Sequence, residues 1–238
     1  MTEWKARRFW TTATVEPAEQ GFTVLLDGRP VRTPAKTRLL LPTKAAAEAV
    51  AAEWQAQDKI VDPRTMPVTR AANAALDKVT PQRDEVIGLL AAYGETDLVC
   101  YRAESPADLV SRQAAAWDPL LDWAADRFGG RLVPVQGVIP ASQSPRALAA
   151  LREPLDAMTP FQLTAMSDLI GLTGSLVLGL AAIERHLPGD DLWRLSRIDE
   201  DFQQELWGID EEAAETDASR RAAFHAAMEF FGMVAGNS

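Results

Sequence analysis

The chain has 238 residues, of which 47% are hydrophobic, and a formal net charge of −10 at pH 7. This length and composition suffice for a substantial core in one large domain or two modest ones, and they exclude a mostly disordered chain. The acidic charge argues against duplex DNA or RNA as the main partner, because phosphate binding is built on clustered lysine and arginine.

Cysteine content and hydropathy narrow the class of protein further. Because Cys100 is the single cysteine, an internal disulfide and a multi-cysteine zinc site are excluded. This cysteine content fits a reducing compartment, and Cys100 itself is interpreted as a small buried residue. Residues 1–10 carry positive charge without an apolar stretch behind them, so we expect no secretory signal. The most apolar segment, residues 169–183, is too short to cross a bilayer, and we expect no membrane insertion.

The first part of the chain predicts a small sheet. Three short stretches rich in β-branched and apolar residues are expected to be strands: residues 11–15, 22–26 and 38–41. Asp27 and Gly28 predict a hairpin turn, because both central positions tolerate positive φ, and Pro30 then belongs on an edge strand. A helix opening at Pro42 and Thr43 places three residues on one face: Ala46, Val50 and Trp54.

From Thr80 onward the signals are helical. Four pairs of a capping hydroxyl with proline mark helix starts: Thr80-Pro81, Ser105-Pro106, Ser144-Pro145 and Thr159-Pro160. Pro119 is expected to bend or divide the second helix, Gly129 to end it, and residues 131–139 to form an extended connector. The later helices are predicted near residues 145–158, 160–186, 190–207 and 217–232. The helix predicted near residues 160–186 carries small residues that would allow a neighbouring helix to approach closely: Gly171, Gly174, Ser175 and Gly179.

These elements predict an α+β fold with two domains. Residues 1–79 form a small N-terminal β-rich domain, in which a sheet and a helix make two layers. Residues 80–238 form a larger, all-α helical bundle. No repeat period links the predicted helices.

Residues 195–208 predict one helix with two different faces. Four apolar residues recur at the spacing of a core-facing stripe: Leu195, Ile198, Phe202 and Leu206. Beside it, Glu200, Gln203 and Trp207 align an acid, an amide and a large ring. This second stripe suits recognition of another protein, but the spacing equally allows Trp207 in the core and the rest as a solvated face. Gly208 is expected to cap the helix in left-handed conformation.

Residues suited to catalysis are few. His186 and His225 lack a second ligand at metal spacing, and a surface or helix-capping role is favoured for both. The acidic runs 199–201 and 210–212 leave general acid–base chemistry open, because carboxyl pKa values depend on burial, although such runs are more often solvated helix ends. The sequence therefore predicts no catalytic, cofactor-binding or metal-ligating residue.

Short motifs follow one another in a specific order along nearly the whole chain. In the first third they are residues 5–10, Leu26 to Arg29, Thr33-Pro34, Ala51 to Trp54 with Gln57, and Met66-Pro67. Further on they are Thr96-Asp97, Cys100 to Arg102, Gln113, Trp117 to Pro119, Leu195 to Arg197, Gln203 and Trp207-Gly208. On these residues the chain resembles the assembly-chaperone family that binds the alpha subunit of the catalytic head of F-type ATP synthase.

The resemblance implies a monomeric chaperone without catalysis or cofactor that shields the subunit-facing surface of the unassembled alpha subunit and releases it during assembly. It places partner binding at four residues: Glu200, Gln203, Trp207 and Glu211. Trp54 and Trp117 are interpreted as core residues, while Gln57 and Gln113 are expected to cap or bridge the two domains. Beyond Gly208 the match is looser, because Ala214-Glu215 stands where some members carry His-Asp.

Two other functional classes stay open. A small-molecule enzyme would use an acidic cluster and needs a concave pocket that holds a carboxyl with a raised pKa. A permanent scaffold subunit needs a large apolar interface. Eukaryotic members of the family act in the mitochondrial matrix behind a basic leader, whereas here family-like sequence begins by Lys5, so we expect a bacterial cytoplasmic protein.

Overall fold

The computed structural model describes residues 7–137, 142–208 and 210–236, which contacts within the chain divide into two units. The first unit comprises residues 7–83, 159–165 and 229–236, and the second comprises residues 84–158 and 166–228 of this described set. The sheet region is small and most of the remainder is helical, so the α+β class is confirmed. The predicted boundary at residue 79 falls near the end of the first segment of the first unit.

The first unit contains an antiparallel sheet built around its second strand. Strand β1 (Ala13–Ala18) pairs with β2 (Gly21–Leu26) along its whole length. Strand β3 (Arg29–Pro30) pairs with the end of β2, and β4 (Leu40–Leu41) pairs with its beginning. Asp27 and Gly28 have φ values of 47° and 79° and join the paired residues Leu26 and Arg29, which confirms the predicted hairpin.

Helix α1 (Lys44–Gln55) packs on this sheet. Thr43 caps it, since its hydroxyl oxygen accepts a hydrogen bond from the Ala46 N–H at 3.2 Å. Ala46 and Val50 are fully buried, and Trp54 packs against the same core, as predicted. The core also includes these residues: Trp10, Val24, Leu26, Val31, Leu39, Leu41 and Ala72.

The predicted helix start at Thr80 is wrong because the chain is already helical there. Helix α2 (Pro67–Ala74) continues through a π-helical turn, Ala75–Val79, and a 3₁₀ turn, Thr80–Gln82, into α3 (Arg83–Ala92). The Thr80 hydroxyl donates to the Ala75 carbonyl at 2.8 Å and therefore caps no N-terminus. The π-helical turn and the 3₁₀ turn together accommodate Pro81, because the N–H that proline lacks would be needed in a regular α-helix.

Seven further helices follow in the described residues. Their bounds are α4 (Ala107–Phe128), α5 (Pro145–Asp156), α6 (Pro160–Thr173), α7 (Leu176–Ile183), α8 (Gly189–Leu195), α9 (Ile198–Trp207) and α10 (Glu211–Ala235). Pro119 lies inside α4 without dividing it, and Gly129 ends this helix with φ 78°, as predicted. In the connector, β6 (Val135–Gln136) pairs in parallel with β5 (Tyr101–Arg102), a pairing the sequence did not indicate, while residues 138–141 lie outside the described residues.

Three predicted helices have different bounds. The segment 160–186 is two helices, because Gly174 has φ 72° and Ser175 caps α7 by accepting from the Leu178 N–H at 3.0 Å. The segment 190–207 is also two helices, α8 and α9, and the last helix begins at Glu211 rather than near residue 217. Gly179 does admit a close neighbour, since an added Cβ would lie 2.8 Å from Ile170, whereas Gly171 faces open space.

Asp97 holds the start of α7 from inside the second unit. Its carboxylate is fully buried and accepts hydrogen bonds from the N–H groups of Val177 at 3.0 Å and Val99 at 3.1 Å. Burial raises its pKa from 3.8 to about 6, although these hydrogen bonds oppose the rise. A buried carboxyl therefore replaces the water that the helix N-terminus would otherwise bind.

The raised pKa of Asp97 predicts a specific pH dependence of stability. The folded chain binds this proton more tightly than the unfolded chain, so the free energy of unfolding falls as pH rises from about 4 to about 6. Asp97→Asn removes the titration, and its stability relative to wild type should rise by about 2 kcal/mol across that range. Urea unfolding of both proteins at several pH values measures this difference. Parallel profiles would show that the Asp97 pKa is not raised.

Candidate functional site

Helix α9 is held in place by buried polar side chains of α4. The Trp117 indole N–H donates to the Leu195 carbonyl at 2.7 Å, just before α9 begins. The Gln113 amide donates to Asp199 Oδ1 at 2.6 Å and accepts from the Ala103 N–H at 2.7 Å. Both side chains are almost completely buried, which confirms Trp117 as a core residue. Their hydrogen bonds fix the start of α9 within the second unit.

A second set of contacts holds the middle of α9. Phe202 is buried, and the Arg112 guanidinium lies over its ring at 5.2 Å while pairing with Glu205 at 2.7 Å. Leu206, predicted to continue the core stripe, is 61% exposed, so this prediction is wrong. The apolar stripe reaches the core only as far as Phe202, because Arg112 of α4 meets the last turn of α9 through the exposed Glu205 carboxylate and not through Leu206.

The four predicted partner-binding residues are all exposed. Glu200, Gln203 and Trp207 lie along one side of α9, and Glu211 begins α10. Glu200 pairs with Arg197 at 2.9 Å. Trp207 is 86% exposed, which excludes the alternative that it is a core residue. Together with Leu206 it forms an exposed apolar end of α9, an unusual position for so large a ring.

Gly208 ends α9 differently from the expectation. Its N–H donates to the Gln204 carbonyl at 2.9 Å, and its φ is 90°, so it does cap the helix with positive φ. Its ψ of 168° lies outside the left-handed helical region, so the predicted conformation is wrong. This region of backbone space is accessible almost only to glycine. The chain can therefore leave α9 in an extended direction before α10 begins.

A groove that the sequence did not predict lies between α9 and the first half of α10. It consists of two adjoining cavities of about 410 Å³ and 540 Å³. Four residues line both cavities: Arg197, Glu200, Gln204 and Asp217. Glu200 thus belongs to the groove, while Trp207 lies one turn beyond Gln204 on the same helix and lines neither cavity. We call this feature the α9–α10 groove.

The α9–α10 groove is dominated by carboxylates. Burial and the neighbouring charges of Asp217 and Glu200 raise the pKa of Asp201. At the other end, hydrogen bonds from Arg221 and His225 lower the pKa of Asp190. His225 Nε2 lies 2.7 Å from Asp190 Oδ1, so this histidine has a carboxylate partner rather than a helix-capping role.

Other titratable groups offer little for catalysis. No group of three histidine, cysteine or acidic side chains in the described residues could hold a metal ion. His186 stacks on the Trp123 ring at 4.5 Å, and burial raises the pKa of Cys100 to about 12, which keeps its thiol protonated. Asp97 has a strongly raised pKa but is completely buried rather than set in a pocket. Among the described helices, none combines the length and hydropathy needed to cross a bilayer.

Known proteins share both the motifs and the fold. A family model described as ATP12 chaperone protein matches residues 7–125. The crystal structure of Atp12 from Paracoccus denitrificans is 50% identical, has a TM-score of 0.94, and aligns over 98% of this chain and all of that one. The chain belongs to the ATP12 chaperone family. This confirms the family resemblance that the short motifs carried.

More distant relatives also match over most of this chain. A crystal structure from Agrobacterium tumefaciens is 41% identical with a TM-score of 0.91, covering 95% of this chain and 85% of that chain. The mitochondrial protein atp12 of Schizosaccharomyces pombe is 22% identical over 223 residues, which is 89% of this chain and 77% of that protein. ATP12 chaperones similar to this chain thus occur in bacteria and in mitochondria.

Several residues of the ATP12-like motifs have clear structural roles. Gln57 is buried, donates to Thr65 Oγ1 at 3.0 Å and accepts from the Asp62 N–H at 2.7 Å, so it closes a loop inside the first unit. Gln113 similarly ties α4 to α9 inside the second unit. Each of these hydrogen bonds therefore stabilises one unit. From the sequence, the two glutamines were expected to cap or bridge the two domains.

The two tryptophans near α9 should respond very differently to the same substitution. Trp117→Phe removes the indole N–H that donates to the Leu195 carbonyl, and it also removes part of a buried ring. The substitution should therefore lower the free energy of unfolding by about 1–3 kcal/mol. Trp207→Phe changes an exposed ring and should stay within about 0.5 kcal/mol of wild type. Denaturant unfolding of both variants measures this contrast. Equal losses would place Trp207 in a packed environment.

Proposed function

We propose that this chain is an assembly chaperone for the catalytic head of F-type ATP synthase. It binds the unassembled alpha subunit, covers the surface that faces neighbouring subunits, and releases it when the beta subunit arrives. Membership of the ATP12 chaperone family supports the chaperone role. We infer that the client is the alpha subunit because the short motifs of this chain resemble those of the family that binds it. The free alpha subunit exposes a patch meant for its neighbours, which is an aggregation hazard until it is covered.

The exposure of Trp207 is the observation that carries this proposal. Tryptophan is among the residues that most often dominate binding energy at protein interfaces, and here it stands 86% exposed on a helix that α4 fixes. Exposed polar groups, Glu200, Gln203 and Glu211, provide the surround that an interface rim requires. We assign partner binding to these four residues.

The size of the apolar surface favours reversible binding. Leu206 and Trp207 are adjacent at the end of α9, and among the described residues only five other large apolar side chains are exposed: Phe9, Ile60, Leu89, Tyr93 and Val133. A permanent subunit would present a larger, continuous apolar interface. A few anchors in a polar surround bind a client without holding it irreversibly, which supports the chaperone over the scaffold.

The client is tested by co-purification. The tagged chain is produced with the alpha subunit of the ATP synthase of its own organism, with and without the beta subunit. We expect a soluble complex with alpha that disappears when beta is added. Co-purification with beta alone, or no complex with alpha under any condition, would contradict the proposal. Alpha-subunit solubility without the chain serves as the reference.

Trp207→Ala tests the assigned surface. Loss of the exposed anchor should weaken alpha-subunit binding by about 2 kcal/mol, roughly thirtyfold in Kd, while the thermal midpoint stays close to wild type. Titration calorimetry measures the affinity. Leu89→Ala is the matched control, because Leu89 is 63% exposed on α3 and lies outside the assigned surface. Equal affinities for both variants would show that Trp207 is not an anchor.

A further inference from the structure

The α9–α10 groove has the form and charge of a docking site. We propose that it receives a positively charged segment of the client protein, with Leu206 and Trp207 contacting apolar side chains that flank the basic ones. This inference rests on the proposed function and adds the chemical character of the segment that is bound. It assigns to the groove the electrostatic part of recognition and to the end of α9 the apolar part.

The charge of the groove is strongly unbalanced. Six carboxylates line it: Asp190, Glu200, Asp201, Asp210, Glu212 and Asp217. Three arginines oppose them: Arg197, Arg220 and Arg221. With His225 neutral, six negative and three positive charges leave a surplus of three negative charges. Clefts lined by one sign of charge concentrate ligands of the opposite sign.

The positive charges of the groove are already engaged by the protein itself. Arg197 pairs with Glu200 at 2.9 Å, and Arg221 pairs with Asp190 at 2.9 Å. The Arg220 guanidinium donates to the Leu172 carbonyl at 2.8 Å. An anionic ligand would have to compete with Glu200 for Arg197 and with Asp190 for Arg221. A cationic ligand leaves these contacts in place, so the sign of the expected occupant is positive.

Several carboxylates of the groove have no cationic partner. Asp201, Glu212 and Asp217 form no ion pair within the described residues, although Asp217 accepts a hydrogen bond from the Trp193 indole N–H at 3.3 Å. Burial and, after it, the charges of Asp217 and Glu200 raise the pKa of Asp201, so these carboxylates repel one another. A Lys or Arg side chain placed between them would relieve that repulsion. A metal ion fits less well, because no metal-binding cluster lies in the described residues.

The wall formed by α10 leaves room for another chain. Every residue from 211 to 223 is at least partly exposed, and Phe224 is the first buried residue of this helix. The groove side of α10 carries small residues: Ala213, Ala214, Ala218 and Ala222. Such side chains allow a bound segment to approach the helix closely. The charged residues between them can then reach the basic groups of that segment.

Charge neutralisation combined with salt tests the groove. The association rate with the alpha subunit is measured from about 0.01 M to about 0.15 M salt. Over this range the Debye length, the distance over which charges attract, falls from about 30 Å to about 8 Å. Asp201→Asn with Glu212→Gln should associate about three- to tenfold more slowly at low salt and depend less steeply on salt than wild type. Asp126→Asn with Glu153→Gln is the control, because it changes net charge equally at exposed residues outside the groove.

The outcomes separate the groove from the proposed function. If the groove variant and the control associate alike, or if wild-type binding is insensitive to salt, the groove does not receive a basic segment, while the alpha subunit remains the client. If wild type forms no complex with alpha, both proposals fail. A photo-crosslinker at Ala218 adds a direct readout. We expect it to capture an alpha-subunit peptide with net positive charge, and capture of an acidic or neutral peptide would overturn the inference.

Discussion

The hydrogen bonds from α4 to residues 195–199 are the interaction on which the candidate surface depends. Trp117 and Gln113 are buried polar side chains whose partners lie just before α9 and in its first turn. Leaving such a group unpaired costs about 1–3 kcal/mol, so α9 cannot shift without losing both partners. The core therefore specifies the orientation of a helix that has one face in solvent. Arg112 extends this control to Phe202 and Glu205.

This anchoring explains how an exposed aromatic can serve recognition. A ten-residue helix alone in water is marginal, and a Trp on a fraying helix would lose conformational freedom on binding. Because α4 holds the first and middle turns of α9, the ordering of the backbone is complete before any partner arrives. Gly208 then ends α9 in a conformation that suits glycine, and the last turn of α9 keeps Leu206 and Trp207 exposed.

Local signals predicted local structure, whereas tertiary packing decided the rest. The Asp27-Gly28 turn and the start of a helix at Thr43 depend on backbone preferences of adjacent residues, and both were predicted correctly. Leu206 fits the periodicity of a core stripe, but periodicity cannot show whether a core lies opposite each turn. The α9–α10 groove was missed for the same reason, because its walls come from two helices whose mutual placement no sequence spacing reveals. The spacing allowed Trp207 to lie either in the core or on a partner-binding face, and only the structure shows that it is exposed.

A chaperone that exposes an apolar anchor must avoid binding to itself. Under the proposed function, the carboxylates around α9 address this problem, because two copies that approach through Trp207 bring like charges together while the proposed basic segment of a client is attracted. The same carboxylates repel one another, and this repulsion adds to burial in raising the pKa of Asp201. A groove optimised only for folding would replace Asp201 or Asp217 with a neutral residue. Discrimination between a second copy and a client gives a physical reason for the chain to keep both acids.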